Sequence, residues 1–540
     1  MITLKGKGVS GGVAIGRMVF FQRANFSVEK KPITDAQGEV GRFHAARIAA
    51  AEQLDKLSHE MAEKIGKENA LLFEIHRMML EDADFTDPIV ALIESQMVCA
   101  EYAVMESGSR LAQDFAEMDD DYMKERAIDV QDVSRRVIDI LAGTQRDPLS
   151  GDEPVILAAD DFTPSETAQF DRSKVLALVC QAGAANSHTA IFARTMGIPA
   201  IIGLGASLSS GLGGKRICLD GETGVLHIEP DEKTIGDLTL KQKKLEERKS
   251  LLEQFHGKPT LTKSGKAIKL FANIGSVADV EAALAGDAEG IGLFRSEFMY
   301  LGREDYPNED IQYESYRKVV EMMGGKQVII RTLDIGADKQ AGYFRLPHEE
   351  NPALGMRAIR ICLTRPELFK TQLRAIYRAS AHGNAAIMFP MISSVKELQG
   401  AKKIAAEARA ELAAEKIAFN ESVPLGIMIE TPASAIISDL LAQEADFFSI
   451  GTNDLTQYTL AADRQNESIN EFVDTHHEAI LRMIRMAAEN AHKAGIWCGI
   501  CGTLGADATL TETFIEMGLD ELSVEPSCIL ELRSRIAEVP

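Results

Sequence analysis

The sequence predicts a multidomain α/β protein, in which a small α/β domain carries an all-helical insert and a (β/α)8 TIM-type barrel follows. Two observations carry this prediction. Short apolar runs alternate with helical patterns through 262–540, and eight parallel strands with crossover helices in about 280 residues are typical of a closed barrel. Helical periodicity without strand signals fills 34–145, between two stretches of β-like runs.

Composition and charge narrow the class of protein. The 540 residues are 45% apolar and 26% charged, an ordinary globular balance with room for three or four domains. The 58 basic and 81 acidic residues give a net charge of -23, which excludes a general nucleic-acid binder and disfavours docking on an anionic membrane. No apolar run has the length of a membrane span, and the first residues lack the apolar region of a signal peptide. The seven scattered cysteines read as reduced thiols, so we expect a cytoplasmic protein without membrane insertion.

The runs on both sides of the insert belong to one α/β domain, which we assign to 1–33 and 146–230. In the first segment glycines alternate with Val9, Val13 and Ile15, a pattern of short strands with tight turns. The second segment has strand-like runs, with a helix near His188 between the middle two. These runs are 154–158, 175–180, 199–204 and 216–219.

Two helical segments complete this half of the chain. In 34–145 apolar residues such as Phe43, Leu54 and Met61 recur at helical spacing. In 231–261 only a narrow leucine seam interrupts Lys, Glu and Arg, which predicts a solvated linker helix that could act as a swivel.

The barrel domain is predicted over 262–540, and its active site should lie where the strands end. The strand candidates are 268–274, 290–297, 328–335, 385–392, 425–430, 447–454, 496–502 and 521–525. Polar residues gather at the ends of several of them. These residues are Arg295, Glu297, Arg331, Asp334, Glu430, Asn453, Asp454 and Cys501, with Arg464 on the loop after 447–454.

This rim favours a small phosphorylated carboxylic acid as ligand. Arginines match phosphate and carboxylate groups bidentately, and Glu430 and Asp454 could hold a hard cation such as Mg2+. A lone arginine at a strand end is usually part of an ion pair, but so many polar groups on one rim indicate a site.

Two further motifs leave alternatives open. One motif, Trp497-Cys498-Gly-Ile-Cys501, has the spacing of a redox dithiol or of half a zinc site. On a strand, however, the two thiols point to opposite faces, which favours a single functional Cys501. Ser187-His188 has the pattern of a helix N-cap followed by a histidine in the first turn. That histidine is either structural or a nucleophile that attacks a phosphoryl group seated at the helix N-terminus.

The motifs that contain these residues match those of a known family. The chain resembles enzyme I of the bacterial phosphoenolpyruvate:sugar phosphotransferase system over nearly its whole length. The matching stretches are GVSGGVAIG, FEIHRMMLED, YMKERAIDVQD, DFTPSETAQ, NSHTAIFAR, GIGLFRSEFMY, IIRTLDIGADK, ENPALGMRAIRI, GIMIETPAS and FFSIGTNDLTQYTLAADR.

The resemblance implies a sugar-transport transferase with a swivelling phosphohistidine domain, Mg2+ as cofactor and a homodimer formed through the barrel. It implies that phosphoenolpyruvate gives its phosphoryl group to His188, beside the hydroxyl of Thr167, and that the carrier protein HPr accepts it next. The implied rim roles are substrate binding for Arg295, Arg331, Asn453, Asp454 and Arg464, metal binding for Glu430 and Asp454, and proton donation by Cys501. HPr would dock on the helical insert near His76, Glu81, Asp82 and Asp84.

Four positions depart from the family pattern. Ala184 and Asn186 stand where the family commonly has glycine and threonine, and Thr503 stands where it usually has glutamate. Glu525 is unusual as well. These departures bear on reaction rate and on the strength of the oligomer rather than on the nucleophile.

Two other functions compete with this one. A pyruvate phosphate dikinase or phosphoenolpyruvate synthase shares the histidine domain and the barrel, but it needs an ATP-binding domain for which the residues before His188 leave no room. A silenced regulatory descendant would lack the histidine, an arginine or a metal carboxylate, and the sequence retains all of them.

Overall fold

The chain folds as two units, Met1–Lys249 and Ser250–Pro540. The computed structural model describes residues 1–540 apart from 22–27, 66, 118–120, 144–152, 169, 184–186, 302, 304, 337–341 and 465. Ala184 and Asn186, which depart from the family pattern, therefore lie outside the described residues. None of the helices in the described part combines the length and the apolar composition that a membrane span requires.

A single mixed sheet organises the first unit, in the order β1-β8-β7-β3-β4-β5-β6-β2 among the described residues. Its strands are β1 (Ile2–Lys5), β2 (Lys7–Ser10), β3 (Val13–Phe20), β4 (Val155–Ala159), β5 (Val175–Cys180), β6 (Ala200–Ile202), β7 (Arg216–Asp220) and β8 (Val225–Ile228). β3 pairs with both β4 and β7, which confirms that the N-terminal strands complete this sheet. β8 was not predicted, because its four residues follow a tight turn at Gly224 and carry little pattern of their own.

Most helices of the first unit pack on one face of the sheet. They are α1 (Ala36–Ile65), α2 (Lys67–Glu81), α3 (Ala83–Gln96), α4 (Ala100–Ala116), α5 (Asp121–Ala142), α6 (Pro164–Thr167), α7 (His188–Met196) and α8 (Glu232–Glu253). Alternation along β4 divides the core: Leu157 and Ala159 pack with residues of α1 and α3 to α5, and Ile156 and Ala158 face a second cluster on the other side. α8, the predicted linker helix, buries none of its side chains.

In the described part of the second unit, parallel strands close into a barrel in the order β10-β11-β12-β13-β14-β15-β16-β9. They are β9 (Lys269–Ile274), β10 (Gly290–Arg295), β11 (Gln327–Arg331), β12 (Ala385–Phe389), β13 (Leu425–Ile429), β14 (Phe447–Ile450), β15 (Trp497–Ile500) and β16 (Glu521–Val524). Alternate residues point into the barrel or out to the helices: Ile329 belongs to the interior cluster, and its neighbours Val328 and Ile330 belong to the outer one. The predicted barrel is confirmed.

The helices of this unit form the outer layer of the barrel. They are α9 (Asp279–Ala285), α10 (Glu309–Met322), α11 (Ile359–Thr364), α12 (Pro366–Ser380), α13 (Val395–Ala414), α14 (Pro432–Ile436), α15 (Ser438–Leu441), α16 (Thr452–Leu460), α17 (Glu478–Ala494), α18 (Thr511–Glu516) and α19 (Ile529–Ile536).

The predicted strands are too long at their polar ends. The prediction for 447–454 was wrong after Ile450, because the chain turns at Gly451 and begins α16. Asp454 lies in the first turn of that helix, where free backbone N–H groups favour a carboxylate. Glu297 likewise lies in a short 3-10 turn after β10.

Candidate active site

Arg331 is the central cation of the rim and is almost completely buried at the end of β11. It contacts the Glu297 carboxylate, and its Nη1 lies 3.2 Å from Asp334 Oδ2. Burial opposes the charged form, but these two carboxylates outweigh it and raise the pKa of the guanidinium. Arg331 is therefore a fixed positive charge at the mouth of the barrel.

A second buried arginine, Arg357, completes this charge network. Its Nη2 donates to Asp334 Oδ1 at 2.9 Å, and its Nη1 donates to Asp454 Oδ1 at 3.4 Å and to Tyr458 Oη at 2.9 Å. Sequence reasoning missed this residue because it follows no strand. The available signal was its position in the ENPALGMRAIRI stretch, where an arginine that the structure buries stands between apolar residues.

Glu430 and Asp454 bring two buried carboxylates to the same network. Glu430 follows β13, and its Oε1 accepts the Met391 N–H at 2.6 Å. Burial, followed by the negative charges of Asp454 and Asp334, raises the pKa of Glu430 to about 8. Gly451 makes room for this side chain, since a Cβ there would lie 2.9 Å from Glu430 Oε2.

Cys501 lies inside the barrel directly after β15 and is buried. Its Sγ accepts a hydrogen bond from Ser449 Oγ at 2.8 Å. Burial raises the pKa of the thiol to about 12, so it holds its proton at neutral pH. Cys498 belongs to the outer cluster, on the opposite face of the strand. The two thiols therefore do not form a redox pair, in agreement with the sequence analysis, which favoured a single functional Cys501.

Asn453 is held by one of the residues that depart from the family pattern. Its Oδ1 accepts the backbone N–H of Thr503 at 3.2 Å and the Thr503 hydroxyl at 2.8 Å. Since a backbone N–H can only donate, the amide oxygen must face Thr503, and the amide NH2 group is left to face other partners.

Arg295 and Arg464 lie at the edge of the rim. Arg295 is half-buried and donates from Nη2 to Glu525 Oε1 at 3.2 Å. Arg464 is exposed and lines a cavity of about 390 Å³ together with Arg357, Asp454 and Tyr458. Arg331, Glu430 and Cys501 do not line this cavity.

The first unit holds the predicted histidine at the start of α7. Ser187 caps this helix, and its side chain accepts the Ala190 N–H at 3.4 Å, as predicted. The side chain of His188 lies outside the described part of the structure. Thr167 is buried in α6, and its hydroxyl donates to the Pro164 carbonyl at 2.9 Å. Its place beside the imidazole stays a prediction.

The predicted docking stretch divides into exposed acids and a buried histidine. Glu81, Asp82 and Asp84 are exposed. The prediction that His76 docks a partner was wrong, because this side chain has no exposed surface. Its Nε2 atom lies 3.0 Å from Asp129 Oδ1. Helical spacing explains the burial: His76 shares a face of α2 with Phe73 and Leu80, which are both buried.

Comparison with known proteins identifies the family. Three family models match the chain: "PEP-utilising enzyme, PEP-binding domain" over 249–540, "PEP-utilising enzyme, N-terminal" over 5–126 and "PEP-utilising enzyme, mobile domain" over 151–224. The phosphoenolpyruvate-protein phosphotransferase of Bacillus subtilis (strain 168) is 41% identical over 540 residues, which cover 100% of this chain and 95% of the relative. The chain belongs to the phosphoenolpyruvate-protein phosphotransferase family. The relative from Priestia megaterium is 41% identical over 537 residues, 99% of this chain and 94% of its own length.

The residues of this family member fit a divalent cation at the rim. No group of three or more His, Cys, Asp or Glu side chains suited to a metal occurs among the described residues. Two buried carboxylates, Glu430 and Asp454, are nevertheless what Mg2+ requires from a protein when waters and substrate oxygens complete its coordination. Burial first, and then the negative charges of Asp454 and Asp334, raise the pKa of Glu430, and a bound cation would favour its charged form.

Proposed function

We propose that this chain moves the phosphoryl group of phosphoenolpyruvate to His188 and then to a histidine of the carrier protein HPr, and releases pyruvate. The observation that carries the proposal is the rim network of Arg331, Arg357, Glu430 and Asp454, in a barrel that the PEP-binding family model covers. Phosphoryl transfer needs mainly positioning and charge neutralisation, and the two buried arginines of this network supply fixed positive charges for both.

Arginines bind and orient the substrate in this proposal. Arg331 and Arg357 are held rigidly by buried carboxylates, so they can engage an anion without first losing side-chain freedom. Arg295 and Arg464 approach from the edge, and the Asn453 amide donates to a substrate oxygen. Glu430 and Asp454 would hold Mg2+, which when bound neutralises charge on the phosphoryl oxygens.

Cys501 supplies the proton that completes pyruvate. The P–O bond of phosphoenolpyruvate breaks as the imidazole nitrogen of His188 bonds to phosphorus. The enolate that departs then takes the thiol proton at its methylene carbon, and the thiolate regains a proton from water. A thiol whose pKa lies near 12 is protonated at the start of every cycle.

The division of labour along the chain is part of the proposal. The helical domain, 34–145, docks HPr through exposed acids that include Glu81, Asp82 and Asp84, and the α/β domain, 1–33 and 146–230, carries His188 with Thr167 near it. The segment 231–261 contains the exposed helix α8 and acts as the hinge. The barrel, 262–540, forms a homodimer in this proposal. We place the protein in the cytoplasm.

The test is incubation with radiolabelled phosphoenolpyruvate and Mg2+, with the wild type beside His188→Ala. We expect label on the wild type only, in a linkage that is labile to acid and stable to base, as a phosphohistidine is. Equal labelling of the variant would reject His188 as acceptor. Absence of label on the wild type would favour a silenced regulatory descendant.

A further inference from the structure

Arg295 differs from the inner arginines of the rim in the partner that it holds. Its guanidinium contacts the carboxylate of Glu525 at 3.2 Å, and the two side chains are 36% and 59% exposed. Arg331 and Arg357 pair instead with Glu297, Asp334 and Asp454, whose side chains are at most 9% exposed. Of the ion pairs that these three arginines make, the pair of Arg295 and Glu525 is the exposed one.

The two kinds of pair respond differently to an incoming anion. A buried carboxylate that loses its arginine becomes an unpaired buried charge, which is strongly unfavourable. An exposed carboxylate that loses its arginine is rehydrated, and exposed ion pairs contribute little stability. Glu525 is therefore the rim carboxylate that a ligand can displace most readily.

The backbone keeps Glu525 within reach of Arg295. Glu525 directly follows β16, and β9 lies between β16 and β10, the strand that ends in Arg295. Pro526 comes next and begins a short 3-10 turn, in which the Cys528 N–H donates to the Glu525 carbonyl at 2.9 Å. The backbone is thus fixed while the carboxylate extends into solvent, where it can turn toward the arginine or away from it.

We propose that Glu525 is an intramolecular competitor for the anion site at Arg295 and thereby sets the affinity for the anionic substrate. In the free protein its carboxylate occupies the guanidinium. When the substrate binds, one of its anionic groups replaces Glu525, which turns out into water, and the ion pair forms again after the product leaves. This inference rests on the proposed function, in which Arg295 binds phosphoenolpyruvate.

The test compares the full-length wild type with Glu525→Gln, which keeps the shape of the side chain and removes its charge. Calorimetric titration with phosphoenolpyruvate and Mg2+, carried out in a His188→Ala background where the phosphoryl group is not transferred, gives the Kd, and turnover with HPr in the chains that keep His188 gives KM and kcat. We expect Kd and KM to fall about two- to fivefold, the range that the loss of an exposed competing ion pair allows, while kcat is unchanged.

The control variant is Glu538→Gln, which removes the same charge from an exposed acid that pairs with Arg535. It should leave both constants as in the wild type. Arg295→Gln and the double variant complete a thermodynamic cycle. If Glu525 acts through Arg295, the change Glu525→Gln gains nothing once Arg295 is absent.

Four results would overturn the inference. An unchanged Kd in Glu525→Gln would show that the carboxylate does not compete, and a higher Kd with a lower kcat would show that it positions Arg295 instead. An equal gain in the Arg295→Gln background would show a general effect of charge. A wild type that binds phosphoenolpyruvate without turnover would contradict the proposed function alone, and a wild type that does not bind it would contradict both.

Discussion

Burial gives the Cys501 thiol a chemistry that an exposed cysteine lacks. An ordinary thiol with a pKa of about 8.5 loses much of its proton in mild alkali, but burial raises the pKa of Cys501 to about 12. The folded protein therefore keeps this group as an acid throughout the neutral range. Such a group is suited to giving a proton to an enolate and unsuited to forming a disulfide.

Cys501→Ala should abolish pyruvate formation from phosphoenolpyruvate, because the enolate loses its proton donor. Transfer of phosphate from phosphorylated HPr to His188 should continue, since that step does not use the barrel. Cys498→Ala is the matched control, because this thiol lies on the outer face of the same strand. Pyruvate release by Cys501→Ala at the wild-type rate, followed with lactate dehydrogenase, would eliminate the proton-donor role.

Thr503→Val tests how the Asn453 amide is oriented. The variant keeps the shape of the side chain and removes the hydroxyl that donates to Asn453 at 2.8 Å. We expect KM for phosphoenolpyruvate to rise two- to tenfold, since one hydrogen bond contributes about 1 kcal/mol. Thr509→Val removes a hydroxyl that bonds to Asp507 in the same segment and should not change KM. A KM equal to that of the wild type would mean that the Thr503 N–H alone orients the amide.

Among the secondary-structure elements, the terminal helix α19 packs on the barrel through buried apolar side chains and through one buried guanidinium, that of Arg533. Arg533 is 2% exposed, donates to the Thr260 hydroxyl at 3.0 Å and contacts the Asp287 carboxylate. Burial alone would raise the pKa of Asp287, but hydrogen bonds from the Gly257 N–H and from Arg533 lower it. The segment before β9, the turn after α9 and the C-terminal helix thus share one guanidinium.

Arg533→Ala should therefore destabilise the barrel by about 2–3 kcal/mol, because it leaves the buried Thr260 hydroxyl and the partly buried Asp287 carboxylate without their donor. Urea denaturation of the full chain measures the change. Arg535→Ala is the control on the same helix: this arginine pairs with Glu538 on the surface, and its loss should cost about 0.5 kcal/mol. Equal midpoints for the two variants would refute the attachment role of Arg533.

The ends of the barrel strands explain why the element boundaries were harder to predict than the elements. Apolar runs located every barrel strand in the correct order. The polar residues after each run do not indicate whether the strand continues through them, so the C-terminal end of the strand could not be predicted. At Gly451 the chain leaves β14 for α16, and a side chain at this position would meet Glu430. That constraint comes from β13 and is invisible in the local sequence.

At the scale of the whole molecule, separate hydrophobic cores allow the two units to work in turn. One set of clusters lies within Met1–Lys249 and another within Ser250–Pro540. In the proposed reaction, a phosphoryl group accepted by His188 is passed on to a partner protein. A histidine that belongs to a unit other than the barrel can do this if its unit moves.

A fragment of residues 1–249 should consequently fold and exchange phosphate with phosphorylated HPr, but it should not react with phosphoenolpyruvate. It contains α7 and the exposed acids, and it lacks the rim of the barrel. Circular dichroism checks its folding, and labelling with each donor checks its activity. The full-length chain is the control for both donors. Labelling of the fragment by phosphoenolpyruvate would contradict the division of labour.

The sequence by itself determined the barrel, the helical insert and the strands that complete the first sheet, because apolar periodicity repeats over long stretches. It also located Arg331, Glu430, Asp454 and Cys501, since the end of a strand in this fold is where functional side chains collect. The cap at Ser187 was predictable from local chemistry alone.

Only the tertiary structure decided which of these groups meet. It brought Arg357 into the network from a loop, paired Glu525 with Arg295 across β9, and buried His76 against Asp129. It also joined Thr503 to Asn453. Each of these contacts links residues far apart in the chain, and their distances depend on how strands and helices pack. Local patterns predict elements, whereas the charge and exposure of a side chain are set by neighbours that the sequence does not place beside it.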